Sequence, residues 1–274
     1  MPENILDQIL QTKRKEVEEL HSRHTLAELK ESSAKAPRVR NFYAAVTKQP
    51  RRKVNLIAEI KQASPSAGLI RRDFDPPAIA RAYAQAGADA ISVLTDEQYF
   101  KGRLDYIQQV RSVVDLPILR KDFIIDPYQV YQSRSAGADA ILLIAAALPV
   151  GQLIDLVILA SQLRLTVLLE VHSAQELEQV KFLLGFPHSA YVLLGLNNRD
   201  LRSFQVDLNT SVRLAGLAGP DVPIVSESGI GSPADIQLLA RAGVKAVLVG
   251  QNLMSQSDIP SAVESLMGPE TANQ

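Results

Sequence analysis

Short apolar runs alternate with helical patterns along most of this 274-residue chain. The apolar runs lie at residues 54–60, 90–94, 117–119, 140–145, 165–169, 191–196, 222–225 and 246–250. The helical patterns lie at about 77–86, 104–114, 127–136, 150–162, 174–184, 208–217, 233–242 and 259–267. The runs are rich in Val, Ile and Leu without polar alternation, which is typical of strands that are buried on both faces of a parallel sheet.

A short sequence recurs where these helices are predicted to end. Ala-Gly-Ala-Asp-Ala-Ile occupies residues 86–91 and again residues 136–141, and the related Ala-Gly-Val-Lys-Ala-Val occupies residues 242–247. Each copy is typical of a helix that stops at a glycine and turns into a new strand. Eight such units favour an α/β protein with a closed (β/α)8 TIM barrel. The alternative is an open doubly wound sheet, but no Gly-x-Gly-x-x-Gly turn follows any predicted strand.

The first 50 residues precede this alternation and have a different pattern. Apolar positions at helical spacing predict a helix at residues 3–20, followed by a short helix at 25–30 and a helical turn at 41–46. Acidic residues interleave with Lys13 and its basic neighbours, so we interpret the charged side of the first helix as a solvated face. We predict that residues 1–50 form a helical extension that packs on the barrel, and that residues 51–274 form the barrel as a single domain.

Composition narrows the classes of function. The 29 basic and 30 acidic side chains give a net charge of −1, which offers no electrostatic case for binding nucleic acid or an anionic membrane. The absence of cysteine excludes disulfides, thiolate zinc sites and a cysteine nucleophile, and the histidines have no metal-like spacing. The sequence has no apolar stretch of roughly 18 residues and no signal-peptide pattern. We therefore expect a cytoplasmic protein without a bound metal.

Polar side chains follow the predicted strands at the point where each strand ends. In a TIM barrel, the carboxyl ends of the strands carry the active site. The candidates are Glu59, Lys61, Lys121, Glu170, Asn197, Arg199, Glu227 and Ser228. A single charge at a strand end is usually only solvated, but so many polar groups on one rim predict a functional site. His172 follows closely after Glu170 and could touch the site, but we interpret it as an ordinary loop histidine.

Two further features suggest what this site would bind. Glycine-rich segments follow strands 7 and 8, at Ser228–Pro233 and Gly250–Asn252, and backbone N–H groups in both could point at a common anion. This predicts a phosphate site, although two ordinary glycine turns would explain the same residues. Phe100 and Phe123 also follow strand ends, and they would either pack in the core or line the pocket of an aromatic substrate.

Several ordered motifs resemble those of the indole-3-glycerol-phosphate synthase family. They are Ala58-Glu-Ile-Lys-Gln-Ala-Ser-Pro-Ser66, Ser92-Val-Leu-Thr-Asp-Glu-Gln-Tyr-Phe100, Leu119-Arg-Lys-Asp-Phe-Ile124, Leu169-Glu-Val-His172, Gly195-Leu-Asn-Asn-Arg-Asp-Leu201 and Ser226-Glu-Ser-Gly-Ile230. The resemblance also covers the first helix. It implies a lyase that needs no metal or cofactor and that closes a ring in 1-(2-carboxyphenylamino)-1-deoxyribulose 5-phosphate. The product would be indole-3-glycerol phosphate, formed with loss of CO2 and water in tryptophan biosynthesis.

The resemblance also implies a role for each matching residue. Lys121 would be the general acid at the substrate ketone, Lys61 would hold the substrate carboxylate, and Glu170 would act as acid or base in the loss of water. Glu59 would orient a lysine, and Phe100 and Phe123 would lie beside the aromatic ring of the substrate. The residues that would bind other parts of the substrate are Asn197, Arg199, Glu227 and Ser228. Those that would contact its phosphate are Ser64, Gly229, Gly250 and Gln251. The division of acid roles between the two lysines stays open.

Two residues depart from the family pattern. Gln251 stands where many members have a small hydroxyl residue, and Arg120 stands where an apolar or small residue is also common. We expect a monomer that takes a phosphorylated small molecule, with no fused second enzyme.

Two other functions stay open at this stage. The first is another enzyme on a phosphate-binding barrel, such as an aminosugar-phosphate isomerase or a Schiff-base aldolase, and the second is a non-catalytic barrel. An aldolase needs a neutral lysine, whereas acids beside both candidate lysines would keep them protonated.

Overall fold

The computed structural model describes residues 5–184, 191–200 and 205–270. Its eight parallel barrel strands are β1 (Asn55–Ile60), β2 (Ala90–Leu94), β3 (Ile118–Lys121), β4 (Ala140–Ile144), β5 (Thr166–Val171), β6 (Val192–Asn197), β7 (Ile224–Glu227) and β8 (Ala246–Val249). Strand β1 pairs with both β2 and β8, which closes the barrel. The predicted TIM barrel is therefore confirmed, and the open sheet is excluded.

Helices connect the strands and precede the first of them. They are α1 (Ile5–Arg23), α2 (Leu26–Lys35), α3 (Phe42–Thr47), α4 (Pro76–Gln85), α5 (Glu97–Phe100), α6 (Asp105–Arg111), α7 (Pro127–Ser135), α8 (Val150–Gln162), α9 (Ala174–Leu184), α10 (Asn209–Ala218), α11 (Pro233–Arg241), α12 (Gln251–Met254) and α13 (Ile259–Met267). A 3-10 turn covers Ala145–Ala147, and a small hairpin pairs Ala63–Ser64 with Gly68–Leu69. The predicted helices are confirmed to within a few residues, except that α2 extends further than expected.

The boundaries of the helices follow from local sequence. Helices α4, α7 and α11 each begin with a proline after an Asp or Ser whose side chain caps the first turn. The recurring glycines at the ends of α4, α7 and α11 all have positive φ angles, with values of 81° at Gly87, 88° at Gly137 and 84° at Gly243. A left-handed residue ends a helix, and glycine adopts this conformation without strain.

Apolar side chains fill the inside of the barrel and the layer between strands and helices. Phe42 and Val46 of α3 are fully buried and pack with the barrel-interior residues. Asn55, the first residue of β1, donates hydrogen bonds to the carbonyls of Val46 and Lys48. Helix α3 therefore covers the amino-terminal end of the barrel. The division of the chain at residue 50 stays a prediction.

Helix α1 lies at the opposite end, where Ile5, Leu6 and Ile9 line the cavity at the C-terminal rim. In the described part of the chain, no helix combines the length and the apolar character that crossing a bilayer requires.

Candidate active site

A cavity of about 450 Å³ opens at the carboxyl ends of the barrel strands. Its lining includes Glu59, Lys61, Ser64, Phe100, Lys121, Phe123, Glu170, Asn197, Arg199, Glu227, Ser228, Gly229, Gly250 and Gln251. The structure thus brings all residues predicted for the site to one place. Their individual roles are not decided by this position.

Lys121 lies among carboxyl groups at the bottom of the cavity. Its Nζ is 3.5 Å from Oε2 of Glu170 and 3.4 Å from Oε2 of Glu227. Burial alone would lower the pKa of Lys121, but the carboxyl groups of Glu227, Glu170 and Glu59 outweigh burial and raise this pKa well above its ordinary value. Lys121 therefore carries a proton at neutral pH, as a proton donor must and as a lysine nucleophile must not.

Glu170 and Glu227 share this lysine, but they have different surroundings. Burial favours the neutral acid in both residues. For Glu170, Lys121 and His172 outweigh burial and lower its pKa, whereas burial and the nearby charges of Glu170 and Glu59 raise the pKa of Glu227 to about 8. The two carboxyl groups therefore differ in acidity, with Glu170 ionised at neutral pH and Glu227 holding its proton more tightly, a separation that is typical of acid–base sites.

Lys61 and Glu59 form the second charged pair at the rim. Lys61 Nζ lies 2.5 Å from Oε1 of Glu59, which agrees with their expected position on one side of the chain.

Two glycines leave room for the site carboxylates. A Cβ on Gly250 would collide with Glu59, and a Cβ on Gly195 would lie 2.6 Å from Oε1 of Glu227.

The loop after β7 bears on the predicted anion site. Ser232 caps α11, but Asp235 accepts hydrogen bonds from the backbone N–H groups of Gly231 and Ser232. The expectation that the N–H groups of this loop point at a common anion is therefore wrong for these two. The loop is tied to the one after β8, because Asn252 donates to the Gly231 carbonyl.

Phe100 and Phe123 form an apolar wall beside the charged groups, with their ring centroids 6.1 Å apart. Asp96 caps the short helix α5 that carries Phe100. Arg199 lies on the opposite loop, where its N–H donates to Oδ1 of Asn197. The neighbouring motif residue Leu201 lies outside the described residues.

Lys13 was missed by the sequence analysis. Its side chain is 2% exposed, and its Nζ lies 2.8 Å from Asp96, 3.0 Å from Asp122 and 2.7 Å from Glu16. The interpretation of this helix face as solvated is therefore wrong for Lys13. Its two aspartate partners lie far along the chain, so only the pattern of α1 itself, which places Lys13 between Leu10 and Val17 on the buried side, could have indicated burial.

Arg120 has a structural role in the same cluster. Its guanidinium contacts Asp122 at 2.9 Å, the Thr95 hydroxyl at 3.1 Å and the Gln132 side chain at 2.9 Å. Arg120 and Lys13 together fix the residue that follows Lys121.

His172 is the second residue that sequence reasoning undervalued. Its ring lies 3.1 Å from Glu170, so its interpretation as an ordinary loop histidine is wrong. The spacing of the two residues along the chain, two positions apart like Glu59 and Lys61, was the available signal. Among the described residues, no group of three or more His, Asp or Glu side chains could hold a metal ion.

A closed parallel barrel with a charged cavity at the carboxyl ends of its strands defines a TIM-barrel enzyme. The family model of indole-3-glycerol phosphate synthase matches residues 6–266. The chain belongs to the indole-3-glycerol phosphate synthase family.

Relatives of known name support this membership. An indole-3-glycerol phosphate synthase of Rhodopirellula baltica is 49% identical over 96% of this chain and 98% of its own. That of Geobacillus kaustophilus is also 49% identical, over 97% of this chain and 98% of its own.

Solved structures with lower identity share the fold. A crystal structure of 3-hexulose-6-phosphate synthase matches with a TM-score of 0.60 and 18% identity, covering 78% of this chain and 98% of that one. A thiamine phosphate pyrophosphorylase from Pyrococcus furiosus matches with a TM-score of 0.53 and 16% identity, covering 79% of this chain and 95% of that one.

Proposed function

We propose that this chain closes the indole ring of 1-(2-carboxyphenylamino)-1-deoxyribulose 5-phosphate with Lys121 as general acid. The family to which the chain belongs gives the overall reaction, the synthesis of indole-3-glycerol phosphate in tryptophan biosynthesis. The observation that carries the proposal is the position of Lys121 in the cavity, where its Nζ lies 3.5 Å from Glu170 and 3.4 Å from Glu227.

Ring closure requires the substrate to be folded so that two of its carbons meet. The aromatic carbon that bears the carboxylate attacks the ketone carbon. Lys61, which lies beside Glu59 at the rim, would bind the carboxylate, and Phe100 and Phe123 would pack against the aromatic ring. Holding both ends in this arrangement lowers the entropic cost of the reaction.

The first proton transfer takes place at the ketone oxygen. As the new carbon–carbon bond forms, this oxygen gains negative charge and takes a proton from Lys121. Loss of CO2 then returns the bonding electrons to the ring and restores its aromaticity. The carboxyl groups around Lys121 stabilise its protonated form before the reaction and aid its return to that form afterwards.

Loss of water requires one group that protonates the departing hydroxyl and another that takes a proton from the substrate. Glu170 is ionised and lies 3.5 Å from Lys121, so we assign it the role of base. Lys121 or Lys61 would supply the acid. Asn197, which hydrogen-bonds Glu170, and the neighbouring Arg199 and Ser228 would contact the substrate hydroxyls, while Glu227 supports Lys121.

The phosphate would bind where the loops after β1, β7 and β8 meet. Ser64, Gly229, Gly250 and Gln251 all line the cavity. Ser228 and Gly229 have φ angles of 68° and 77°, so the chain turns sharply at this point. Because the Gly231 and Ser232 N–H groups are bound to Asp235, we assign the phosphate to the other residues.

The proposal is tested by supplying the carboxyphenylamino-deoxyribulose phosphate to the purified chain without added metal. Indole fluorescence should appear together with one CO2 per product, and heat-denatured protein should give neither. Folded protein that forms no indole product would overturn the proposed reaction. A monomeric state and a cytoplasmic location remain predictions from the sequence.

A further inference from the structure

His172 contacts the proposed base Glu170 from outside the substrate cavity. It follows β5 two positions after Glu170, so both side chains lie on the same side of the chain. Its Nε2 is 3.1 Å from Oε1 of Glu170, and its side chain is only 10% exposed. His172 does not line the cavity, whereas Glu170 does. A histidine in this position acts on the substrate only through Glu170.

Glu176 holds the other side of the imidazole ring. Its Oε2 lies 3.3 Å from Nδ1 of His172 and also accepts the His172 backbone N–H at 2.9 Å. The Ser173 hydroxyl fixes the second oxygen, Oε1, at 3.1 Å. These contacts belong to the start of α9, where a Ser and a Glu three residues apart cap the helix. Capping explains the contacts between Ser173 and Glu176, but it does not explain an imidazole placed between two carboxylates.

We propose that His172, held by Glu176, is a positioning residue that keeps Glu170 ionised and correctly oriented throughout the reaction. This inference deepens the proposed function, because it rests on the role assigned to Glu170.

The charges around Glu170 explain why a second cation is useful. Lys121 on β3 faces Glu170 at 3.5 Å, Asn197 on β6 hydrogen-bonds it, and Glu227 on β7 and Glu59 on β1 are the acidic groups nearby. Lys61 at the rim is paired with Glu59. When Lys121 gives its proton to the substrate, it loses its charge. His172 then remains as a cation in contact with Glu170, and the base is not left buried beside two other carboxyl groups.

The charge state of His172 agrees with this role. Burial alone would lower its pKa, but the carboxylates of Glu170 and Glu176 outweigh burial and raise the pKa to about 10. The ring is therefore an imidazolium at neutral pH. The contact with Glu170 is an ion pair rather than an aligned hydrogen bond, since Nε2 has no partner of hydrogen-bond geometry among the described residues.

The test compares His172→Gln with the wild-type enzyme. Gln keeps an N–H donor near the position of Nε2 but has no charge. We expect kcat to fall on the order of 10- to 100-fold with KM little changed, since a misplaced catalytic group has costs of this size. The acid-side limb of the kcat–pH profile should move to higher pH by about one unit or more, because an opposite charge at this distance shifts a carboxyl pKa by about 1–3 units. The ionisable groups of the substrate are the same in both assays, so a difference between the two pH profiles arises from the protein.

Two control variants separate this role from helix capping. Glu176→Gln keeps the capping acceptor but removes the charge that holds His172, and we expect a smaller shift in the same direction. Glu178→Gln lies on the exposed side of α9 and should leave the profile unchanged. A His172→Gln enzyme that folds and keeps the wild-type limb would overturn the inference. If the wild-type enzyme makes no indole product, the proposed function fails instead.

A second measurement does not depend on the variant folding. In wild-type protein labelled with 15N-histidine, the ring nitrogen chemical shifts of His172 at pH 7.5 should be those of an imidazolium. The signals of His172 are assigned as those that change in the spectrum of Glu176→Gln. Shifts of a neutral ring would overturn the inference.

Discussion

Lys13 of helix α1 lies 3.0 Å from Asp122, the residue that follows Lys121 in the chain. The second oxygen of Asp122 is held by Arg120 and the Thr95 hydroxyl. Burial would raise the pKa of Asp122, but Lys13 and Arg120 outweigh burial and lower it well below the usual range. The N-terminal extension is therefore connected to the proposed catalytic lysine by a buried network of charges.

Lys13→Met tests this connection, because it removes the charge and keeps the length of the side chain. Asp96 and Asp122 would then be buried without their lysine, and breaking such a pair costs about 3–5 kcal/mol of unfolding free energy. We expect a loss of that size in urea denaturation, together with a fall in kcat. Lys15→Met on the exposed side of the same helix is the matched control. Equal stability of the two variants would show that the buried cluster does not fasten the extension.

Gly250→Ala tests whether the space beside Glu59 matters. The added Cβ would collide with the Glu59 carboxylate and displace it from Lys61. We expect kcat/KM to fall at least about tenfold, since small displacements of catalytic groups have large effects. Gly151→Ala is the control, because a Cβ there meets open space on helix α8. Normal kcat/KM in Gly250→Ala would mean that Glu59 is not needed in its present position.

Glu170 and Glu227 should respond differently to the same substitution. The raised pKa of Glu227 means that this residue holds a proton more readily than Glu170, so the neutral amide of Glu227→Gln should keep kcat within about tenfold. Glu170→Gln removes an ionised base, and losses of about 10²–10⁴-fold are typical for such groups. Both rates would be measured at pH 7 by indole fluorescence. A larger loss for Glu227→Gln would reverse the two assignments.

The stability difference between wild type and His172→Gln should depend on pH. The pKa of His172 rises from 6.5 to about 10 on folding, so the folded state binds this proton more tightly than the unfolded chain. The stabilisation is complete below about pH 6.5 and is lost as the pH rises towards 10. Urea denaturation of both proteins between pH 6 and 10 would measure it. A difference that grows with pH would contradict the raised pKa.

Much of the fold and the position of the site could be predicted from local sequence. Apolar runs and capped helices are short-range patterns, and the topology of a parallel barrel brings the strand ends, including Lys121 and Glu170, to one rim. The role of Lys13 depends on partners from two distant loops, which no local pattern shows. The hydrogen bond from the Gly231 N–H group to Asp235 depends on how the loop folds back on its helix. Burial raises the pKa of Glu227, and a sequence does not show which side chains are buried so completely.

The most direct test of the account is the turnover of Lys121→Ala. The variant should fold, as circular dichroism would check, and should bind the substrate with an affinity within a few-fold of wild type by calorimetry. Its rate of indole formation should be lower by at least about 10²–10⁴-fold, because the proton donor at the ketone is missing. A folded Lys121→Ala enzyme with near-normal turnover would show that Lys121 is not the general acid.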